Sequence, residues 1–158
     1  MKRSLLFVCL LLFLTGFAFA DEAQSDSKMA IGAGLEFNMN SRDNFAAGAL
    51  LAFDYSFGSS FAIGLNVSAS YNFDGITVIE PAALFRWYFL GANVTGWFIQ
   101  ADVGAYIVFE DEDITPLFLG GIRAGLRLPV SDMFYIEPFG RVGYPFMFGI
   151  GVLAGIRF

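Results

Sequence analysis

The sequence predicts an all-β chain, an eight-stranded antiparallel up-and-down transmembrane β-barrel. Three observations carry this expectation. Apolar residues alternate with period two through almost the whole chain after residue 28, which is the repeat of a β-strand. Hydrophobic residues make up 56% and charged residues only 15%, against about 25% charged in an ordinary soluble domain. After residue 20 the chain holds no run of the about 18 apolar residues that a helical span needs. In lipid, only helices and closed barrels satisfy every backbone group.

The last segment shows the pattern most cleanly. Phe158, Ile156, Ala154, Val152, Ile150 and Phe148 share one face, and Arg157, Gly155, Leu153, Gly151, Gly149 and Met147 share the other. The continuous apolar face belongs outside, the reverse of a soluble β-protein, whose outward face is polar.

Eight such segments follow one another, at about 29–39, 45–57, 61–73, 76–89, 97–109, 116–128, 133–144 and 146–158. In the first, Met29, Ile31, Ala33, Leu35, Phe37 and Met39 point outward; in the second, alternate residues from Phe45 to Phe57 do so. The third turns Phe61, Ile63, Leu65, Val67, Ala69, Tyr71 and Phe73 outward, and the fourth Thr77, Ile79, Ala83, Phe85, Trp87 and Phe89. The fifth does the same with alternate residues from Trp97 to Phe109, the sixth with Phe118, Ile122, Ala124, Leu126 and Leu128, and the seventh with Phe134, Ile136, Val142 and Tyr144. Each is long enough to cross a bilayer as a tilted strand of ~9–11 residues. Turn chemistry separates them: Asn40 to Asn44, Gly58-Ser59-Ser60, the tight-hairpin pair Asp74-Gly75, Leu90 to Gly96, the acidic run Glu110-Asp111-Glu112-Asp113, Pro129 to Asp132, and Tyr144-Pro145. An even number of strands puts both ends of the barrel chain on one side.

Pro81 and Pro138 fall inside the fourth and seventh segments, in the echo Ile79-Glu80-Pro81 and Ile136-Glu137-Pro138. Proline cannot donate to a strand ladder, so a bulge or a rim is expected at each.

Outward parity comes from the bulky apolar residues alone, and the charges test it independently. Glu36, Asp54, Glu80, Arg86, Asp102, Arg123, Arg127, Glu137, Arg141 and Arg157 all fall on the inward parity. An arginine on the lipid face costs ~2–4 kcal/mol at mid-depth; strands in water feel no such selection. The interior of an eight-stranded barrel is just wide enough for side chains to fill. Five acids and five arginines there imply an arginine–carboxylate network filling the lumen, with bidentate contacts. Inward glycines (Gly32, Gly34, Gly48, Gly64, Gly104, Gly121, Gly125, Gly151 and Gly155) leave room for it.

Aromatics mark the two ends. Tyr55, Phe57, Phe61, Trp87, Phe89, Trp97, Phe134 and Phe158 form a girdle on the side of the termini. Phe37, Phe45, Tyr71, Phe73, Phe109, Tyr144 and Phe146 form the opposite one.

Residues 1–20 read as a secretory signal peptide that is removed. Lys2 and Arg3 start it, Leu5 to Leu14 supply the apolar stretch, and Ala18-Phe19-Ala20 is the cleavage site before Asp21. A short flexible leader follows at 21–28, then the barrel at 29–158. Cleavage removes Cys9, the one cysteine, so no disulfide is available. It leaves 7 basic against 15 acidic side chains, a net of −8, which argues against nucleic acid as a partner.

Taken with the signal peptide and the terminal Phe158, these eight segments resemble the small eight-stranded outer-membrane β-barrel proteins, the group that includes the OmpA membrane domain and OmpX. The resemblance covers about residues 29–158. It implies a monomer in the outer membrane of a diderm bacterium, surrounded by lipid. It also implies insertion by the barrel-assembly machinery, whose recognition of a terminal strand Ile156 and Phe158 would serve.

The sequence points away from catalysis and away from any cofactor. It contains no histidine, so a Ser–His–Asp arrangement is impossible, and the inward acids are better explained as partners of arginines. The acidic run at Glu110–Asp113 lacks the spacing and glycine of a calcium loop, so it reads as a solvated loop and no metal site is assigned. The main expectation is a structural envelope protein with an ion-pair-filled lumen. The alternatives are a narrow facilitator for small solutes and a surface-interaction protein. A soluble ligand-binding barrel of lipocalin type would need the opposite distribution of polar and apolar faces.

Overall fold

The computed structural model describes residues 27–40, 45–72, 75–89, 95–110 and 113–158. The signal-peptide reading at 1–20, most of the 21–28 leader and the girdle residue Phe73 lie outside these.

The eight strands are β1 (Met29–Asn40), β2 (Phe45–Phe57), β3 (Phe61–Asn72), β4 (Thr77–Tyr88), β5 (Gly96–Glu110), β6 (Asp113–Pro129), β7 (Phe134–Tyr144) and β8 (Phe146–Arg157). Each pairs antiparallel with the next, and β8 returns to β1, so the sheet closes in strand order into a barrel. The seam is held at its end by reciprocal backbone bonds, Met29 N to Phe158 O at 3.0 Å and Phe158 N to Met29 O at 2.9 Å. Closure leaves no general sheet edge.

Alternation dictates the two surfaces. On β3, for example, Ile63, Leu65 and Val67 are exposed on the outside while Ala62, Asn66, Ser68 and Ser70 are buried inside. The interior pairs small against large. β1 to β3 contribute mainly Ala, Gly, Ser and Asn, while β4 to β7 send in Arg86, Tyr88, Phe98, Tyr106, Arg123, Arg127, Tyr135, Phe139 and Arg141. Two apolar clusters result. One joins Tyr88, Phe98, Tyr135, Phe139, Leu50 and Leu153; the other joins Val78, Tyr106, Leu119 and Phe146.

Turns follow their residues. Gly58 (φ 71°) and Gly75 (φ 100°) adopt the left-handed backbone that side chains disfavour, each at a hairpin between adjacent strands. At the second, Asn72 Oδ1 accepts the Ile76 amide at 2.8 Å.

Four features differ from the sequence expectation. The first is the start of β8. The β1–β8 register shifts at this end, Met39 facing Phe148 but Asn40 facing Phe146. One extra residue reverses the alternation beyond it. Phe146 is therefore buried, not part of the outer girdle, and Met147 is exposed, not inward.

The second concerns the prolines, which produce no bulge. On the β4–β5 side the register passes from Ile79↔Ile107 to Ala82↔Gly104 without a shift, omitting the rungs of Glu80 and Pro81. On the β6–β7 side it passes from Gly125↔Phe139 to Leu128↔Ile136, omitting those of Glu137 and Pro138. The opposite edges stay paired, Pro81 with Val67 and Pro138 with Val152. A missing amide opens the ladder on one side only, and the strand needs no extra residue to pass it.

The third is β6, which begins at Asp113 rather than near 116. Glu110 pairs with Asp113, so both ends of the acidic run are rungs of the β5–β6 ladder, while Asp111 and Glu112 lie outside the described residues. Its β7 edge is paired only from Gly120 onward.

The fourth is Leu126. It takes the outward parity yet is buried, in register with Trp97 on the neighbouring strand.

Candidate functional site: the charged lumen

The ten charged residues of inward parity are all buried within the ring, while Glu110 and Asp113, at the ends of β5 and β6, are exposed. Burying ions this deeply is tolerable only if partners replace the lost water, and the partners fall into two groups.

The group toward the termini is a quartet. Asp54 comes from β2, Arg86 from β4, Arg127 from β6 and Glu137 from β7. Arg86 donates through Nη1 and Nη2 to the two oxygens of Glu137, each at 2.9 Å. Arg127 reaches across the barrel to Asp54, Nη2 to Oδ2 at 2.7 Å and Nη1 to Oδ1 at 3.2 Å. Its Nε donates to Glu137 Oε2 at 2.7 Å. Both forks match the planar guanidinium to a carboxylate. Tyr88 accepts from Arg86 at 3.0 Å, and Gln100 Oε1 accepts from Arg86 Nε at 2.8 Å.

The second group lies farther from the termini. Arg141 Nη1 contacts both oxygens of Glu36, at 3.2 and 3.1 Å, and its Nη2 contacts Glu80. Asn38 donates to Glu36 at 2.9 Å. Asp102 Oδ1 accepts from Asn66 at 2.7 Å and from Gln100 at 2.6 Å. Gln100 thus links the two groups. Arg123 is the least well served: its Nε stands 3.7 Å from Asp102 Oδ2, and Arg141, a like charge, is its register partner on β7.

Four guanidinium groups also cover aromatic rings. Arg86 lies 4.2 Å from the Phe98 centroid, Arg127 4.2 Å from Tyr135, Arg123 4.3 Å from Phe139 and Arg141 3.7 Å from Phe146. A desolvated cation over a ring face gains about 2 kcal/mol. These rings, and the bridging amides Asn38, Asn66 and Gln100, escaped the sequence reading, which took aromatics as outward markers. The signal was present: Phe98 shares parity with Asp102, and Tyr135 and Phe139 share it with Glu137 and Arg141.

Arg157 departs from the expected network. It meets no carboxylate among the described residues and donates Nη2 to the carbonyls of Ser131 and Asp132, both at 3.3 Å. It sits at the rim, one residue from the end of the chain, where the turn between β6 and β7 supplies the acceptors.

Outside, aromatic rings cluster on the rim of the termini. Phe57 stacks on Phe61 and Phe61 on Phe85, each pair 5.9 Å apart, and Trp87 leans on Phe89 at 5.7 Å. Tyr55 and Phe134 are exposed on the same rim, as is Phe158 at the end of the terminal strand beyond Ile156, while Trp97 is half-buried.

No protein-family model and no curated protein matches the chain. Solved structures do. The N-terminal β-barrel domain of Pseudomonas aeruginosa OprF superposes with a TM-score of 0.62 at 11% identity, covering 84% of this chain and 100% of that one. The chain resembles the small outer-membrane barrels. Neisserial surface protein A gives 0.60 at 11% identity, over 82% of this chain and 94% of its own. The outer membrane protein OprG of Pseudomonas aeruginosa gives 0.52 at 10% identity, over 85% and 95%. Identities this low establish a shared fold and leave the role to the residues. Among the described residues no group of three or more His, Cys, Asp or Glu side chains is placed to hold a metal ion.

Proposed function

We propose that this protein is an integral barrel of a diderm outer membrane with a structural envelope role, its lumen closed by ion pairs. The observation that carries this is the partition of the strands. A continuous apolar exterior encloses buried charges, and Glu137 joins Arg86 to Arg127 across the axis. Such a surface would aggregate in water, whereas hydrocarbon matches it. The role proposed involves no catalysis and no cofactor.

In this reading residues 1–20 direct export and are cleaved before Asp21. The assembly machinery receives a terminal strand ending in Ile156 and Phe158. The aromatic rims settle at the two interfaces, and the barrel works as a monomer. Cell fractionation with heat-modifiable gel mobility tests the membrane barrel, and reconstitution into planar bilayers tests the closed lumen. Outer-membrane location and no steady conductance are expected. Stable single-channel steps would instead favour the narrow facilitator.

A further inference from the structure

The five buried arginines are served unequally. Arg86 and Arg127 hold the quartet carboxylates, Arg123 faces Asp102, and Arg141 has both Glu36 and Glu80. Arg157 holds no carboxylate among the described residues, although it is only 3% exposed. Its Nη2 makes two long bonds to carbonyls, both at 3.3 Å, and its Nε and Nη1 have no hydrogen-bond partner there. Idle donors on a buried guanidinium call for an acceptor, and an ionised one binds most strongly.

Few side-chain carboxylates are available at this end of the barrel. The connections at 58–60 and 90–95 contain no ionisable residue, and the turn at 130–133 contains only Asp132, which gives Arg157 its carbonyl. The other acids on this side are Asp21, Glu22 and Asp26, in the polar segment before β1 and outside the described residues. Lys28 prolongs the line of β1, its carbonyl accepting the Ser56 amide at 2.7 Å. Ser56 is buried inside, so Lys28 opposite it takes the inward parity, and continued alternation gives Asp26 the same parity. Ala30, four positions after Asp26, is the register partner of Arg157.

We infer that Asp26 docks in the mouth of the barrel on the side of the termini, as the missing carboxylate partner of Arg157. This rests on the barrel reading above. Four residues of chain span at most ~14 Å, so Asp26 lies within reach of the mouth beneath Arg157. A tethered acid acts at millimolar effective concentration, which favours it over dilute free anions. The segment before β1 is thereby a partner of the barrel and runs beneath its mouth.

The test is limited trypsin digestion of the folded protein in detergent micelles, following cleavage after Lys28, a bond that a docked Asp26 shields. Arg157→Gln should speed this cleavage about three- to fivefold, the size of an ion pair at a solvated rim. Asp26→Asn also changes the local sequence that the protease reads, so the coupling between the two sites is the measure. Asp26→Asn should speed cleavage more in protein that keeps Arg157 than in the Arg157→Gln variant, by about the same factor. Equal effects in the two backgrounds overturn the pairing, as does coupling that appears with Glu22→Gln in place of Asp26→Asn. Cleavage after Arg42, between β1 and β2 at the other end, should keep one rate throughout; an equal rise there marks general loosening and also overturns it. Gel mobility of the trimmed barrel reports the fold separately. A band that heating does not shift sinks the barrel reading, whatever the cleavage rates.

Discussion

Arg86 and Glu137, 51 residues apart in sequence, meet as a fork with both bonds at 2.9 Å in the middle of the ring. A bond between neighbouring strands would add little to a sheet already zipped by its backbone. This one joins β4 to β7, which are not neighbours, and Arg127 extends it to Asp54 on β2. The quartet therefore ties the barrel wall across its own diameter.

Removing one member should cost far more than an ordinary polar contact. Glu137→Ala leaves two buried guanidinium groups without their shared carboxylate, and an unpaired buried ion costs ~3–5 kcal/mol. Urea unfolding in lipid vesicles, followed by tryptophan fluorescence, measures the difference. Wild-type stability in Glu137→Ala would mean that water enters freely and the quartet is not dry.

Arg157 provides the contrast. Its partners are two peptide carbonyls at the rim, which water can replace. Arg157→Ala should lose only about 1 kcal/mol, whereas Arg127→Ala should lose ~3–5 kcal/mol. Equal losses in the same unfolding assay would contradict the difference in pairing.

The exterior makes a depth-dependent prediction. Val67, exposed in the middle of β3, should tolerate arginine poorly, at ~2–4 kcal/mol, whereas Phe57 at the rim should lose only ~0–1 kcal/mol. Reversible folding into vesicles of each variant gives the comparison. A flat profile would show that this face does not meet hydrocarbon.

Gly125 tests the packing beneath Arg86. A Cβ there would fall 2.6 Å from Phe98 Cζ and 2.6 Å from the Pro138 carbonyl oxygen. Gly125→Val should destabilise by ~1–3 kcal/mol through overpacking and push Phe98 from under the guanidinium. A chemical-shift change at the Phe98 ring, together with the loss of stability, is the expected signature; an unmoved ring would refute the displacement.

Much of this architecture could be read from residue types because a continuous apolar exterior and a crowded axis inside leave charge one place to go. Eight segments with one parity each leave little freedom in register or strand order. What escaped the reading has a common cause, the loss of strict alternation or the use of one residue type on both faces. The extra residue near Met147 is chemically unremarkable, so nothing in the string marks the point where Phe146 turns inward. Pro81 and Pro138 suggested a bulge, but their missing amides open one edge and leave the count intact. Phe98, Tyr135 and Phe139 were hidden by the abundance of outward phenylalanine. Arg157 shares parity with the other arginines, and only its height in the barrel denies it a strand carboxylate. Asp113 looked like loop because acidic runs usually are, although its rung to Glu110 belongs to the β5–β6 ladder.

The seam between Met29 and Phe158 fixes the order in which this molecule can be completed. The first strand waits for the last, across 128 intervening positions, so the final pairing is among the most distant contacts of the described residues and of the slowest kind to form. Until then both outer strands carry raw edges able to pair with other chains. Deleting β8 should consequently yield sticky, protease-sensitive material rather than a smaller cylinder, as a cell-envelope pulse-chase with added protease would reveal.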